Sequence, residues 1–265
     1  MELTGHKKVH IAPMGYEIDR VELAIKQIGA DRVYLIKDPD ESKQGLLYLN
    51  ELTRRITRLV PAEELKILEC PIWDFQKTMS LLCELVRREK SAGNFVYINL
   101  SSGSKLSAVA GTLASLMYGA TPYYVRAEKY NSELPGTIDG EIKGITSGIK
   151  EILQIPVYTI EPPADDLIKA LAVLFENGGR LKQKEYIFAL EEGGLLKDVT
   201  TGSGKRKEVT KKGYARAKRQ YFEKLEDKKW IVKKGKGRSS FIEITTEGEY
   251  TLQTFRDVAS AGSNI

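Results

Sequence analysis

The sequence predicts two domains: an α/β, doubly wound domain with a Rossmann-like parallel sheet over residues 1–160, and a winged helix-turn-helix over residues 161–265. Three observations predict them. In the first part, apolar runs of strand length start roughly every 25–30 residues with amphipathic helical segments between them, the pattern of a parallel sheet with crossover helices. Glu161-Pro162-Pro163 then marks a stiff linker. Beyond it, three helical segments and a hairpin follow within about 100 residues, the element order of a winged helix.

Taken in order, Lys7–Pro13 (KKVHIAP) is a short buried strand, and Tyr16–Gly29 carries Val21, Ala24, Ile25 and Ile28 at helical spacing with Gly29 as its stop. Arg32–Lys37 is the second strand. Gly45–Leu59 is an amphipathic helix with Leu49, Leu52, Ile56 and Leu59 on one face. Glu64–Cys70, Asn94–Leu100 and Thr121–Val125 are the third to fifth strands, separated by helices at Phe75–Lys90 and Ser104–Gly119. Residues 126–154 hold several glycines and room for one helix, and Ile155–Glu161 is expected as a late strand. After the linker come helices at Ala164–Asn177, Lys182–Glu192 and Tyr214–Lys228, the last with Ala217, Tyr221 and Leu225 inward. Two strands lie within Trp230–Thr245, and a closing helix spans Glu247–Val258.

Composition narrows the function classes. Apolar content of 42% and charged content of 29% belong to a globular chain. The N-terminus is too polar for a secretory signal, and no apolar run approaches the ~18 residues of a membrane span. A cytoplasmic protein with no membrane partner is therefore expected. Cys70 and Cys83 fall in different elements and read as reduced core thiols. With only His6 and His10 as histidines, no metal-ligand cluster can be built at usual spacing, so no metal site is expected. No resident cofactor is expected either. The +5 net charge is unevenly distributed: residues 161–265 hold 21 Lys+Arg against 16 Asp+Glu, and within 205–238 the ratio is 15 to 4. That asymmetry calls for a polyanion partner for the second domain alone.

Lys211, Lys212, Tyr214, Arg216, Lys218 and Arg219 lie around the N-terminal turns of the third helix, where a recognition helix meets the major groove. Lys233, Lys234, Lys236 and Arg238 fall on the hairpin, where a wing reaches phosphate or the minor groove. Double-stranded DNA is the expected partner, with RNA or a protein left open, and a basic solvated helix and hairpin with no nucleic-acid role is the other reading. Gly202-Ser203-Gly204-Lys205 is not a P-loop, because Val199 occupies the position of its first glycine.

The stretch after the fourth strand, Asn99-Leu100-Ser101-Ser102-Gly103-Ser104-Lys105, is rich in hydrogen-bond donors and poor in packing atoms. In a doubly wound sheet, ligands bind beyond the carboxyl ends of the strands, where helix N-termini favour anions. Four small residues exceed what one helix cap needs. A nucleotide site and a plain cap are the two readings. Met14-Gly15-Tyr16, after the first strand, is the second candidate loop, and it lines the same crevice only if strands one and four are neighbours.

Asn99-x-Ser101-x-x-x-Lys105 resembles the [DN]-x-[ST]-x-x-x-[KR] motif after the fourth strand of CARF domains, the CRISPR-associated Rossmann folds. Met14-Gly15-Tyr16 is similar to that family's other ligand segment. With the C-terminal winged helix, the chain resembles the archaeal CARF–winged-helix transcription regulators. The resemblance implies a homodimer whose two CARF domains share one pocket for a cyclic oligoadenylate or other nucleotide, with Ser101 and Lys105 on its floor. It implies a transcription regulator linked to CRISPR antiviral defence, with ring cleavage of the ligand as the alternative. Helix four carries Ser107, Ala108, Gly111, Ala114 and Ser115, which either admit a twofold mate or fit against the sheet. No catalytic residue is assigned, since no histidine lies near the loop and only His10 stands open as a base. Ser102-x-x-Lys105 lacks the companion motifs of β-lactam-acylating enzymes, and Pro13–Asp19 lacks the glycine pattern of a nicotinamide site.

Overall fold

The computed structural model describes residues 6–131, 136–138, 141–202, 207–235 and 240–261. The chain divides into two compact units, Met1–Pro162 and Pro163–Ile265.

In the first unit, β1 (Lys8–Pro13), α1 (Asp19–Ile28), β2 (Arg32–Lys37), α2 (Lys43–Ile56), β3 (Leu65–Glu69), α3 (Phe75–Ser91), β4 (Phe95–Asn99), α4 (Lys105–Tyr118) and β5 (Thr121–Tyr130) alternate as the apolar runs predict. A short ribbon, β6 (Gly136–Ile138) with β7 (Glu141–Lys143), and the long strand β8 (Thr146–Gln154) complete it. The six-stranded sheet has the order β3-β2-β1-β4-β5-β8, parallel except for β8. Val9, Ile11, Ala12, Val33, Leu35, Val96 and Ile98 are fully or almost fully buried, as strands covered on both faces require. The order runs outward from β1 in both directions, so chain winding reverses between β1 and β4. That is the switch point at which doubly wound sheets bind ligands.

Two expectations are corrected. Residues 126–154 carry no helix among the described residues: β5 continues to Tyr130 and pairs antiparallel with β8 across a bulge at Arg126/Ala127. Residues 155–161 form no strand. Val157 and Tyr158 there are exposed, and the backbone is tied by single bonds from Ile155 N to Pro122 O and Ile160 N to Leu116 O.

The small residues of α4 serve the interior. Ser107, Ala110, Gly111, Ala114 and Ser115 are buried, and a Cβ on Gly111 would lie 3.0 Å from Ile98 Cγ2 and 3.1 Å from Leu100 Cδ2. Leu106 and Val109, on the other side of the helix, are exposed. Cys70 and Cys83 are free and buried, and burial pushes the Cys83 thiol up to about 12.

The second unit runs α5 (Asp165–Glu176), β9 (Arg180–Lys182), α6 (Gln183–Glu192), β10 (Thr200–Thr201), β11 (Glu208–Val209) and α7 (Lys211–Ala217). A π turn (Lys218–Phe222) then carries α7 into α8 (Glu223–Asp227), followed by β12 (Ile231–Lys234), β13 (Phe241–Ile244) and α9 (Thr246–Ala261). Leu171, Leu174, Tyr186, Leu190, Leu225 and Ile242 centre its core. The strand β9, unmarked in the sequence pattern, joins β12 and β13 in a three-stranded sheet of order β12-β13-β9. This is a winged helix domain.

Candidate functional site

Beyond the carboxyl ends of β1 and β4, the loops after the two strands touch. A Cβ on Gly15 would stand 2.9 Å from Gly103 N, and one on Gly103 would stand 2.6 Å from Pro13 Cβ. Gly103 also has φ +79°, a conformation that disfavours any side chain. A cleft of about 670 Å³ opens here, lined by Met14, Gly15, Tyr16, Ser101, Gly103 and Ser104 of the expected residues. The segments after β2 and β3 complete it with Asp38, Asp40, Glu41 and Ser42, and with Ile72 and Trp73.

Much of the hydroxyl richness of this loop is structural. Ser104 caps α4: its Oγ accepts from Ser107 N at 3.0 Å and donates to Ile72 O at 2.8 Å. Ser101 Oγ accepts from Val125 N of β5. Asn99 is fully buried, with Oδ1 accepting from Ser101 N at 2.8 Å and Nδ2 donating to Arg20 O at 2.9 Å. Ser102 is buried with an unpartnered hydroxyl and does not line the cleft. Lys105 is exposed on the first turn of α4, also outside the lining.

Arg20, on α1, is the hidden support of this loop. Only 5% exposed, it donates from Nη1 to Ser101 O at 3.3 Å and from Nη2 to the Tyr130 hydroxyl at 2.9 Å. Its guanidinium lies over the rings of Tyr124 and Tyr130 and 3.5 Å from Glu17. Burial raises the Glu17 carboxyl above its ordinary value. No periodicity marks Arg20 as a core residue, so nothing in the sequence pattern points to this role.

His10 is no base for this cleft. It is fully buried in β1, with Nδ1 at 3.1 Å from the Tyr123 hydroxyl and Nε2 at 3.2 Å from Gly29 O. Burial drives its pKa down to about 4, which keeps the ring neutral.

The second unit has its own cleft, of about 460 Å³, lined by Lys184, Lys211, Tyr214 and Lys233 with Gln183, Glu208 and Val209. The structure thus brings the helix residues Lys211 and Tyr214 to the wing residue Lys233, and adds Lys184 from α6. Thr210 caps α7 by accepting from Gly213 N at 2.9 Å. Lys212 and Arg219 are exposed. Other basic residues are engaged: Arg216 donates to Lys197 O at 2.7 Å, Lys218 pairs with Glu223 at 3.3 Å, and Lys234 pairs with Glu243 at 2.9 Å. Lys236 and Arg238 lie outside the described residues. Also among the described residues, no group of three or more His, Cys, Asp or Glu is placed to hold a metal ion, and no helix is long and apolar enough to cross a membrane.

Fold and clefts together define a two-domain protein, a Rossmann-like α/β domain followed by a winged helix. Residues 8–130 match the HFX_2341-like N-terminal family model, and residues 166–256 match the DUF6293 C-terminal winged helix domain. The chain is 28% identical over 214 residues to an uncharacterized protein of Methanocaldococcus jannaschii, covering 72% of this chain and 63% of that relative. It is 24% identical over 251 residues to an uncharacterized protein of Archaeoglobus fulgidus, covering 93% and 98%. Similar solved structures include Enterococcus italicus Csm6 bound to cyclic hexa-2′-fluoro-hexa-dAMP, with TM-score 0.43, 12% identity, and coverage of 71% of this chain and 49% of that one. Can2 of Sulfobacillus thermosulfidooxidans in complex with cyclic tetra-adenylate has TM-score 0.38 and 12% identity, with coverage of 79% and 63%. The chain thus spans less than two thirds of the Methanocaldococcus relative and of both solved proteins.

Proposed function

We propose that the protein is a ligand-responsive, DNA-binding transcription regulator. Its first domain acts as a CARF-like sensor of a nucleotide second messenger, a cyclic oligoadenylate, in CRISPR defence, and its winged helix binds double-stranded DNA. The observation that carries this reading is the adjacency of β1 and β4, which makes the Met14–Tyr16 loop and the Ser101–Ser104 loop walls of one cleft at the switch point. The motif Asn99-x-Ser101-x-x-x-Lys105 supplies the resemblance, and the cluster of Lys184, Lys211 and Lys233 supplies the nucleic-acid side.

A homodimer completes the proposal. Leu106 and Val109 leave an apolar stripe on α4 beside the cleft, and a second copy packed there would bring two Lys105 side chains to one ring of phosphates. Ligand binding would then bias the relative setting of the two winged helices by differential affinity for two states.

The test is calorimetric titration of the full chain with cyclic tetra- and hexa-adenylate, with the nucleotide recovered for chromatography. Binding in the micromolar range or tighter with the ring intact is the expected result. Cleaved ring would convert the sensor into a ring nuclease. Absence of binding to either ring would overturn the sensor assignment.

A further inference from the structure

The cleft at the switch point has the wrong charge for phosphate. Glu17, Asp38, Asp40 and Glu41 line it, and among the described residues no lysine or arginine does. Arg20 balances Glu17 from behind at 3.5 Å, but a phosphodiester in that space would still face Asp38, Asp40 and Glu41 with no cation in the lining. The half of a nucleotide that suits such walls is the neutral one, which donates hydrogen bonds: the base with its amino group, and the ribose with its free hydroxyl.

Two residues there match those two parts. Trp73 follows β3 and lines the cleft with 70% of its surface exposed, an unusual setting for the largest apolar side chain. Its neighbour Ile72 is buried, and the Ile72 carbonyl accepts the Ser104 hydroxyl at 2.8 Å, so the Trp73 segment is tied to the loop that opens α4. An anchored indole with a solvated face is a stacking platform for a base, worth about 1–3 kcal/mol per base. Asp38 directly follows β2, 23 residues beyond Gly15. In dinucleotide-binding folds, an acid about 20 residues past the first glycine loop takes the ribose hydroxyl. Asp38 Oδ1 accepts from Asp40 N at 3.0 Å, which fixes the carboxylate at the cleft wall.

We infer that this cleft is a base-and-ribose subsite in which Trp73 stacks on an adenine and Asp38 accepts a hydrogen bond from the ribose 2′-hydroxyl. The phosphates run outside it, past the exposed Lys105 on the first turn of α4. The 2′-hydroxyl is then a specificity determinant, and Trp73 and Asp38 join the loop residues as the ligand-contacting set. The inference rests on the nucleotide reading of the same site and adds which part of the nucleotide enters and what reads it.

The experiment titrates the full chain with cyclic tetra-adenylate and with its all-2′-deoxy counterpart, comparing wild type with Trp73→Ala, Trp73→Phe and Asp38→Asn. Wild type binds the ribo ring at least about tenfold more tightly than the deoxy ring, as a lost hydrogen bond to a charged group implies. Asp38→Asn keeps a neutral acceptor but loses the charge, so it weakens the ribo ring and narrows the ribo-to-deoxy ratio without abolishing it. Trp73→Ala weakens both rings by roughly 5- to 150-fold, the span of one stacked base, and Trp73→Phe restores most of the loss. Ring addition quenches tryptophan emission in wild type and not in Trp73→Phe, a readout that needs only the conservative variant to fold. Tight ribo binding with no loss in Trp73→Ala, or a ribo-to-deoxy ratio unchanged in Asp38→Asn, overturns the inference and leaves the sensor reading standing. No binding of either ring to wild type overturns both.

Discussion

The two clefts are opposites in construction. The one at the end of the parallel sheet is walled by four carboxylates and by two loops locked through Gly15, Gly103, Asn99 and Ser101, with Arg20 bracing them from behind. In the winged helix, Lys184, Lys211 and Lys233 face one cleft in which Glu208 is the only carboxylate, and none of the three lysines lies within ion-pair distance of an acid among the described residues. Backbone geometry makes the first; free surface charge makes the second. A substitution in the locked loops of the first therefore acts on folding and binding together, whereas replacing a lysine of the second acts chiefly on association.

The largest break in that contrast is Gly103→Val. The new Cβ would meet Pro13 Cβ and Ser107 Oγ at 2.6 and 2.7 Å, at a backbone angle that a β-branched residue disfavours. Strain and overpacking together cost about 2–5 kcal/mol. Chemical denaturation is expected to show that loss together with loss of oligoadenylate binding. A variant as stable as wild type would mean that the two loops are not held against each other.

In the second cleft, Lys184, Lys211 and Lys233 replaced together by Gln are expected to change stability by less than about 0.5 kcal/mol each. The same replacement weakens duplex DNA binding and makes the slope of log affinity against log salt shallower by about 0.9 for each phosphate no longer neutralised. Fluorescence anisotropy across a salt series reads this directly. An unchanged slope would place the DNA face elsewhere on the domain.

This difference also sets what sequence can reveal. Charge on a winged helix is counted as easily in the sequence as on the surface, so the excess in residues 205–238 points to a basic face from the sequence alone. Even there, the count overstates what is free, because Arg216, Lys218 and Lys234 have partners in their own domain. The parallel strands are legible because β1, β2 and β4 are short apolar runs buried on both faces. The hairpin of β5 and β8 is not, since Glu128, Lys129 and Tyr130 are exposed and carry no continuous apolar signal. Strand order leaves no mark in a chain read residue by residue, so the meeting of the β1 and β4 loops had to come from pairing. Trp73 and Asp38 escape notice for the same reason: each is an ordinary loop residue until the sheet order brings both to one cleft.

The smallest expected effect separates cap from surplus within a single loop. Ser104→Ala removes the acceptor for Ser107 N and the donor to Ile72 O, and is expected to cost about 1 kcal/mol, the ordinary worth of an N-cap. Ser102→Ala, two residues earlier, removes a buried hydroxyl that has no partner, so its loss is expected to be neutral or slightly stabilising. Urea titration of the two variants side by side measures the difference under identical conditions. An equal cost at both positions would mean that Ser102 also supports the fold. A neutral Ser102→Ala that nevertheless weakens oligoadenylate binding would identify the one hydroxyl of the loop that the fold leaves for the ligand.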